Sequence, residues 1–452
     1  MKKILFFTIL IVPFLINAQS LSYTDAAVLF STDDDYGTAR SMGMSNAFGA
    51  LGADMTAVDI NPAGLAVYNR AEFSTTLGYR NTDINSSFYG TELGNNDDFF
   101  KFTQAGGLFL FNSYGNSDFK KFAMGFNYSV VKDFSNSFFV NGNSGIPEFV
   151  DDPYLNYDDD DTNNIYYTNV DNQFFKNYMS GINDRFSFSF ATQYKDFLFL
   201  GASINSHHIY FNQNVVYEEF NNDGHDNLLD AYLAQNLNTY GYGLNFSIGA
   251  IIKPSQNFRL GLAYQSPTWF TLTERFIEDL EISVSNNSEL YTEYYDPNYF
   301  DYQLNTPGEF TGSLAYIFGK YGLVSFDYIY KDFQNAKLKP TGEFIYENQD
   351  LAEGLKGTSS YKIGTEWRAN IFSFRGGYRF TESPYKMADS SDDLSGYSLG
   401  LGIKFSRSLK LDIAYDSYSS QYQYQFLDID GMQPANIDES NYRLTSSLVF
   451  SF

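Results

Sequence analysis

The stretch Tyr442-Arg443-Leu444-Thr445-Ser446-Ser447-Leu448-Val449-Phe450-Ser451-Phe452 alternates. Tyr442, Leu444, Leu448, Phe450 and Phe452 share one parity, with Ser446 as the exception, while Arg443, Thr445, Ser447 and Ser451 fall on the other. Successive side chains of a strand point to opposite faces, so this is a strand with one apolar and one polar face. The same pattern recurs upstream. Phe186, Phe188 and Phe190 interleave with Ser187 and Ser189, and Leu399, Leu401, Ile403 and Phe405 with Gly400, Gly402 and Lys404. Read for period two, residues 71–452 yield fourteen strands, among them 119–134, 185–195, 238–253 and 258–274.

The links between these strands also alternate. Short ones such as Lys195-Asp196 and Ser406-Arg407-Ser408 follow the even-numbered strands, and longer, mostly acidic ones follow the odd-numbered strands. A two-sheet sandwich gives no reason for such sidedness. A membrane barrel does: it has short turns on one side, long loops on the other and an even strand number. A chain that ends on an aromatic strand also resembles the C-terminal recognition strand of bacterial outer-membrane barrels. The expected fold is all-β: an antiparallel transmembrane β-barrel of 14 strands, in the outer membrane of a Gram-negative type envelope.

Composition agrees with that class. Phe and Tyr number 45 and 38, which suits strands and interfacial aromatic girdles. Lys2 and Lys3, the apolar run of residues 4–16 and Asn17-Ala18 read as a signal peptide over residues 1–18. No second apolar run is long enough for a membrane helix. The chain contains no cysteine, which excludes disulfide and thiolate chemistry. Its net charge of −25 makes nucleic acid a poor partner.

By parity the inner face receives Arg80, Asn127, Ser203, Asn205, Arg259, Asp327, Lys331, Lys362, Glu366, Arg375, Arg379, Lys404, Asp412 and Asp416. A barrel this wide cannot fill itself with its own side chains, so the lumen is wet or plugged. Residues 19–70 supply the plug. They are rich in glycine and small residues and contain the turn-forming Asn61-Pro62-Ala63.

The block RSMGMSNAFGALGADMTAVDINPAGL at residues 40–65, with Asn61-Pro62-Ala63 inside it, resembles the N-terminal hatch of the FadL family of outer-membrane transporters for long-chain fatty acids and other hydrophobic compounds. Residues 258–270 and 372–385 are similar to strand motifs of that family. The resemblance implies a hatch over residues 19–70 inside a barrel over residues 71–452. It also implies passive uptake without a cofactor, the ligand leaving sideways into the membrane at an inward kink of the third strand. Gly125 is the candidate for that kink, or equally a place where the hatch backbone approaches closely. The implied partners are hydrophobic small molecules, with outer-membrane lipid and lipopolysaccharide around the barrel. Some relatives, the PorV-like proteins, instead serve protein secretion or assembly complexes. The acidic stretches 134–184 and 275–309, with their tyrosines, offer surface for such protein partners.

No catalytic constellation stands out and no metal site is expected. His207 and His208 are adjacent in a strand, face opposite sides and cannot share one metal in a regular strand. Asp158-Asp159-Asp160-Asp161 lacks calcium-loop spacing and reads as a solvated acidic loop. Lys362, Arg375 and Arg379 are candidate lumen contacts for a ligand carboxylate, with Glu366, Asp412 or hatch groups as their competing partners.

Overall fold

The computed structural model describes residues 21–113, 117–155, 164–427 and 429–452. The signal-peptide reading and the acidic run Asp158 to Asp161 lie outside these residues.

Fourteen antiparallel strands close on themselves, the first pairing with the last from Glu72↔Ser451 to Ser87↔Asn436. They are β1 (Glu72–Phe88), β2 (Thr91–Asn112), β3 (Phe119–Asp133, continued by Asn136–Gly142), β4 (Asn169–Tyr194), β5 (Leu198–Asn222), β6 (Leu228–Ile252) and β7 (Phe258–Gln265, continued by Trp269–Val284). The circle is completed by β8 (Asn298–Asn305, continued by Glu309–Ile317), β9 (Gly322–Asp332), β10 (Gly357–Ala369), β11 (Phe372–Thr381), β12 (Leu394–Lys404), β13 (Leu409–Tyr424) and β14 (Ala435–Ser451). The interruptions of β7 and β8 fall on Ser266-Pro267-Thr268 and Thr306-Pro307-Gly308, because proline offers no N–H to the ladder.

Outward positions form an apolar belt. Phe100 is 70% exposed, Tyr242 68% and Leu262 65%. Inward positions at the same height are polar and buried: Thr76, Gln104, Asn127, Ser187, Asn205 and Ser247. That inside-out arrangement is stable only with lipid outside. Among the described residues no helix is long and apolar enough to cross a membrane. The crossing is made by strands.

Several strands run well past the belt. The long link expected after β1 is a two-residue turn, Tyr89-Gly90, and the acidic residues 91–98 lie in β2. Likewise β4 begins at Asn169, not near 185, and β6 at Leu228, not near 238. Above the membrane the apolar parity reverses. Phe73 and Leu77 of β1 face lipid, whereas Ile84 and Phe88 face inward. Together with Phe138, Phe175, Tyr217, Leu233 and Phe426 they build a hydrophobic core in the protruding part.

Residues 21–70 lie inside the barrel. Helix α1 (Tyr23–Ser31) starts at Ser22, whose hydroxyl accepts from Asp25 N–H. It buries Ala27 and Phe30 against Phe134, Phe211, Leu237 and Phe270 of the wall. Short turns follow at α2 (Ala39–Met42) and α3 (Met55–Ile60), and then a 3₁₀ turn over Pro62–Val67. The link between β9 and β10, including α4 (Ile345–Gly354), packs Phe344, Leu351 and Leu355 onto the same cluster from the outer side.

Candidate functional site

Asn61 ties the plug to itself and to the wall. Its Nδ2 donates to Gly49 O at 2.8 Å and to Ala250 O of β6 at 3.2 Å, while its Oδ1 caps Ala63 N–H at 3.2 Å. Pro62 occupies the first turn position, where a missing N–H costs nothing. Ala63 is fully buried among Leu65, Leu108, Ala191 and Phe199. The wall makes room: a side chain on Gly201 of β5 would come within 2.3 Å of the Pro62 carbonyl carbon.

Gly125 has the same kind of role. Its register with Leu108 and Ser189 is unbroken, and a Cβ there would lie 2.9 Å from Leu65 Cδ1 of the plug. The irregularity of β3 falls further along. The pairing with β4 shifts between Val130 and Lys132, and the strand is interrupted at Phe134-Ser135. There Phe134 turns inward, its ring 5.6 Å from that of Phe30 on α1.

The interruption leaves a slot in the backbone ladder between β2 and β3. β2 pairs with β3 only from Asn112↔Lys121 to Gln104↔Ser129. From Thr103 outward β2 pairs with β1 alone, and β3 with β4 alone. The outer half of β3 is held to its neighbours by side chains: Arg80 of β1 donates to Ser135 O at 2.5 Å and Ser86 to Phe139 O, and Asn95 of β2 donates to Ser137 O at 2.8 Å. Phe100 and Phe102 still face outward beside this slot, so it begins within the apolar belt. Lys101 of β2 bridges it to Asp133 of β3 at 2.5 Å. Behind it Asp34 of the plug accepts from Asp133 N–H at 2.9 Å and pairs with Lys132 at 3.1 Å.

Lys362, Arg375 and Arg379 are all in the lumen and all engaged. Lys362 meets Asp35 of the plug at 2.5 Å, and Arg379 meets Asp35 at 3.6 Å and Asp416 at 3.3 Å. Arg375 pairs with Glu366 at 2.8 Å and Asp412 at 2.7 Å. Glu366 also takes Arg40 of the plug at 2.9 Å and Arg368 at 2.6 Å. These cations hold the plug and the wall. Of the other expected inward residues, only Lys404, at the end of β12, is exposed.

His207 is buried between Asn183 and Asn245 at 3.1 Å each, while His208 faces outward beside Tyr242. No group of His, Asp and Glu that could hold a metal occurs among the described residues. Of the tyrosines in the acidic stretches, Tyr167 is fully buried in the outer core, whereas Tyr294 and Tyr299 are exposed.

Two cavities flank the end of α1. One, of about 160 Å³, lies against residues 32–36 of the plug, with the charged Asp33, Asp59, Arg185, Glu309 and Lys331 among its lining residues. The other, of about 210 Å³, lies between α1 and strands β6, β7 and β8 and is lined by apolar side chains together with Thr239, Glu274 and Asn298. Phe30, on which Phe134 packs, lines the second. The sequence offered no signal for the second cavity, because its lining comes from four distant segments.

The closed barrel of fourteen strands with the N-terminal segment packed inside it superposes on solved structures. The chain has the FadL-type fold. No protein-family model and no curated protein matches it in sequence. Among solved structures, a FadL homologue of Pseudomonas aeruginosa superposes with a TM-score of 0.60 at 14% identity, over 93% of this chain and 100% of that one. The CymD monoaromatic hydrocarbon channel gives 0.55 at 15% identity, over 92% and 97% of the two chains. The Pseudomonas putida toluene transporter TodX gives 0.54 at 15% identity, over 93% and 100%. The apolar belt is that of a barrel that spans a membrane.

Proposed function

We propose that this barrel is a passive channel for small hydrophobic compounds, which enter beside α1 and leave sideways into the membrane between β2 and β3. The observation that carries the reading is the end of the β2–β3 ladder at Gln104–Ser129, inside the apolar belt. A greasy solute gains roughly 25 cal/mol per Å² of apolar surface kept from water, so a route into lipid is favoured over release into the periplasm. The apolar cavity beside α1 is a first resting place. Movement of Phe30 and residues 32–35 connects it to the slot. The solved structures that share the fold include a monoaromatic hydrocarbon channel and a toluene transporter. The polar lumen, with its cations already paired, argues for small solutes over a long-chain carboxylate.

Purification in mild detergent followed by mass spectrometry of everything that accompanies the protein tests this. Enrichment of hydrocarbons or other apolar small molecules over the detergent background supports the channel. A stoichiometric polypeptide with no such molecule contradicts it. That result would instead assign the barrel to a secretion or assembly complex, with the exposed Tyr294 and Tyr299 at its working surface.

A further inference from the structure

The apolar cavity beside α1 contains one feature that a simple hydrocarbon pocket does not need. Leu21, Ala26, Phe30, Leu237, Phe276 and Phe300 line it with the neutral polar Tyr23, Thr239 and Asn298, and among its described lining residues Glu274 of β7 alone is charged. Glu274 is 8% exposed. Its Oε2 accepts from Thr239 and from Tyr302, both at 3.3 Å, and Oε1 has no hydrogen-bond partner among the described residues.

The other buried carboxylates of the lumen are better satisfied. Glu366, Asp412 and Asp416 each face an arginine within 3 Å. Asp327, which has no such cation, accepts from Phe48 and Gly49 N–H at 2.8 and 2.9 Å. Glu274 has neither a cation at ion-pair distance nor a short hydrogen bond among the described residues. A buried carboxylate in apolar surroundings is costly unless something pairs with it. We infer that Glu274 receives the head of the ligand, so that this cavity selects small apolar molecules bearing a cationic or hydrogen-bond-donating group, an arylamine or short alkylamine, and rejects carboxylates.

Size supports the small class. A volume of about 210 Å³ lies below the ~300 Å³ where pockets for drug-sized ligands begin. A single ring with one substituent fits, and a long acyl chain does not. Tyr23 packs edge-on against Phe300, Tyr302 and Phe344, which fixes the aromatic side of the pocket. A carboxylate head placed here would meet Glu274 with no lysine or arginine in the lining to offset the repulsion.

The inference rests on the channel reading and names its substrate class. It is tested by calorimetric titration of the detergent-solubilised full chain with three probes of one shape: benzylamine, toluene and benzoate. Mildly alkaline pH keeps carboxylates ionised and the amine protonated. The expected order is benzylamine over toluene over benzoate, with the first step about tenfold, as for one charge-assisted hydrogen bond. Glu274→Gln should erase the amine preference and leave toluene binding unchanged. Leu237→Trp, which fills the cavity, should abolish binding of all three. Equal affinities in the wild type, a preference for benzoate, or an amine preference that survives Glu274→Gln would overturn the inference. Toluene binding in those cases leaves the channel reading standing, whereas binding of none of the probes removes both.

Discussion

Lys101 Nζ and Asp133 Oδ1 meet at 2.5 Å across the one place where β2 and β3 no longer share a backbone ladder. The pair is a side-chain clasp over a backbone gap. Lys101 is half-buried, and Arg80 stays at 3.9 Å from Asp133 to balance its charge if the lysine is removed. Lys101→Met should therefore loosen the slot without unfolding the wall. An ion pair of this exposure is worth ~0.4–1 kcal/mol, so the open population should rise about two- to fivefold. Initial uptake of a radiolabelled hydrocarbon in proteoliposomes measures it. An unchanged rate would count against the slot as the exit.

A second prediction concerns movement of the plug. Ser45 of the plug and Ser398 of β12 touch, with their hydroxyl oxygens 2.8 Å apart. The chain has no cysteine of its own, so a Ser45→Cys, Ser398→Cys double variant creates a single engineered disulfide. If passage requires the plug to shift, uptake should fall in the oxidised form and return on reduction. Transport indifferent to the redox state would show that this part of the plug stays still.

Asn61 gives a third. Asn61→Ala leaves the buried carbonyl of Gly49 without its donor, a cost of about 1–3 kcal/mol. Hydrogen exchange should quicken over residues 49–66, while the barrel keeps its heat-modifiable mobility on unboiled gels. Unaltered protection there would mean that the motif does not anchor the plug.

The fourth is electrostatic. Glu366 gathers Arg40, Arg368 and Arg375. Glu366→Gln leaves these guanidinium groups with a neutral partner and should destabilise this region by about 3–5 kcal/mol. The expected signature is detachment of α2, seen as faster exchange over residues 38–54. Retained protection would show that Ser447, which accepts from Ala39 N–H at 2.7 Å, and Ser398 suffice to hold it.

Much of the barrel could be read from the sequence, and its limits have a physical cause. Within the belt, period-two patterns such as Phe186, Phe188 and Phe190 report lipid contact directly. Beyond the belt the rule reverses: in β5, Leu200 and Ile204 face lipid, whereas Phe211 faces α1 and Val215 and Tyr217 face the outer core. A reader who follows one parity loses the strand at that switch, and the extensions of β2, β4 and β6 therefore resembled acidic loops. The charged inner face was visible by parity, and so were the partners of Arg375. The break in β3 was not, because Gly125 carries the obvious local signal while the bend is set by Phe134 finding Phe30 from another part of the chain. Glu274 was missed for a related reason. Its meaning comes from Thr239, Tyr302 and α1, none of them near it in sequence.

Uptake by whole cells decides whether the barrel is a hydrophobic-solute channel. Cells lacking the gene, and the same cells carrying it on a plasmid, would be given radiolabelled toluene and hexadecane at low concentration. Slower initial entry of the small aromatic without the gene, restored by the wild-type chain, is the expected result. Equal entry in both strains for every hydrophobic compound tried would contradict it.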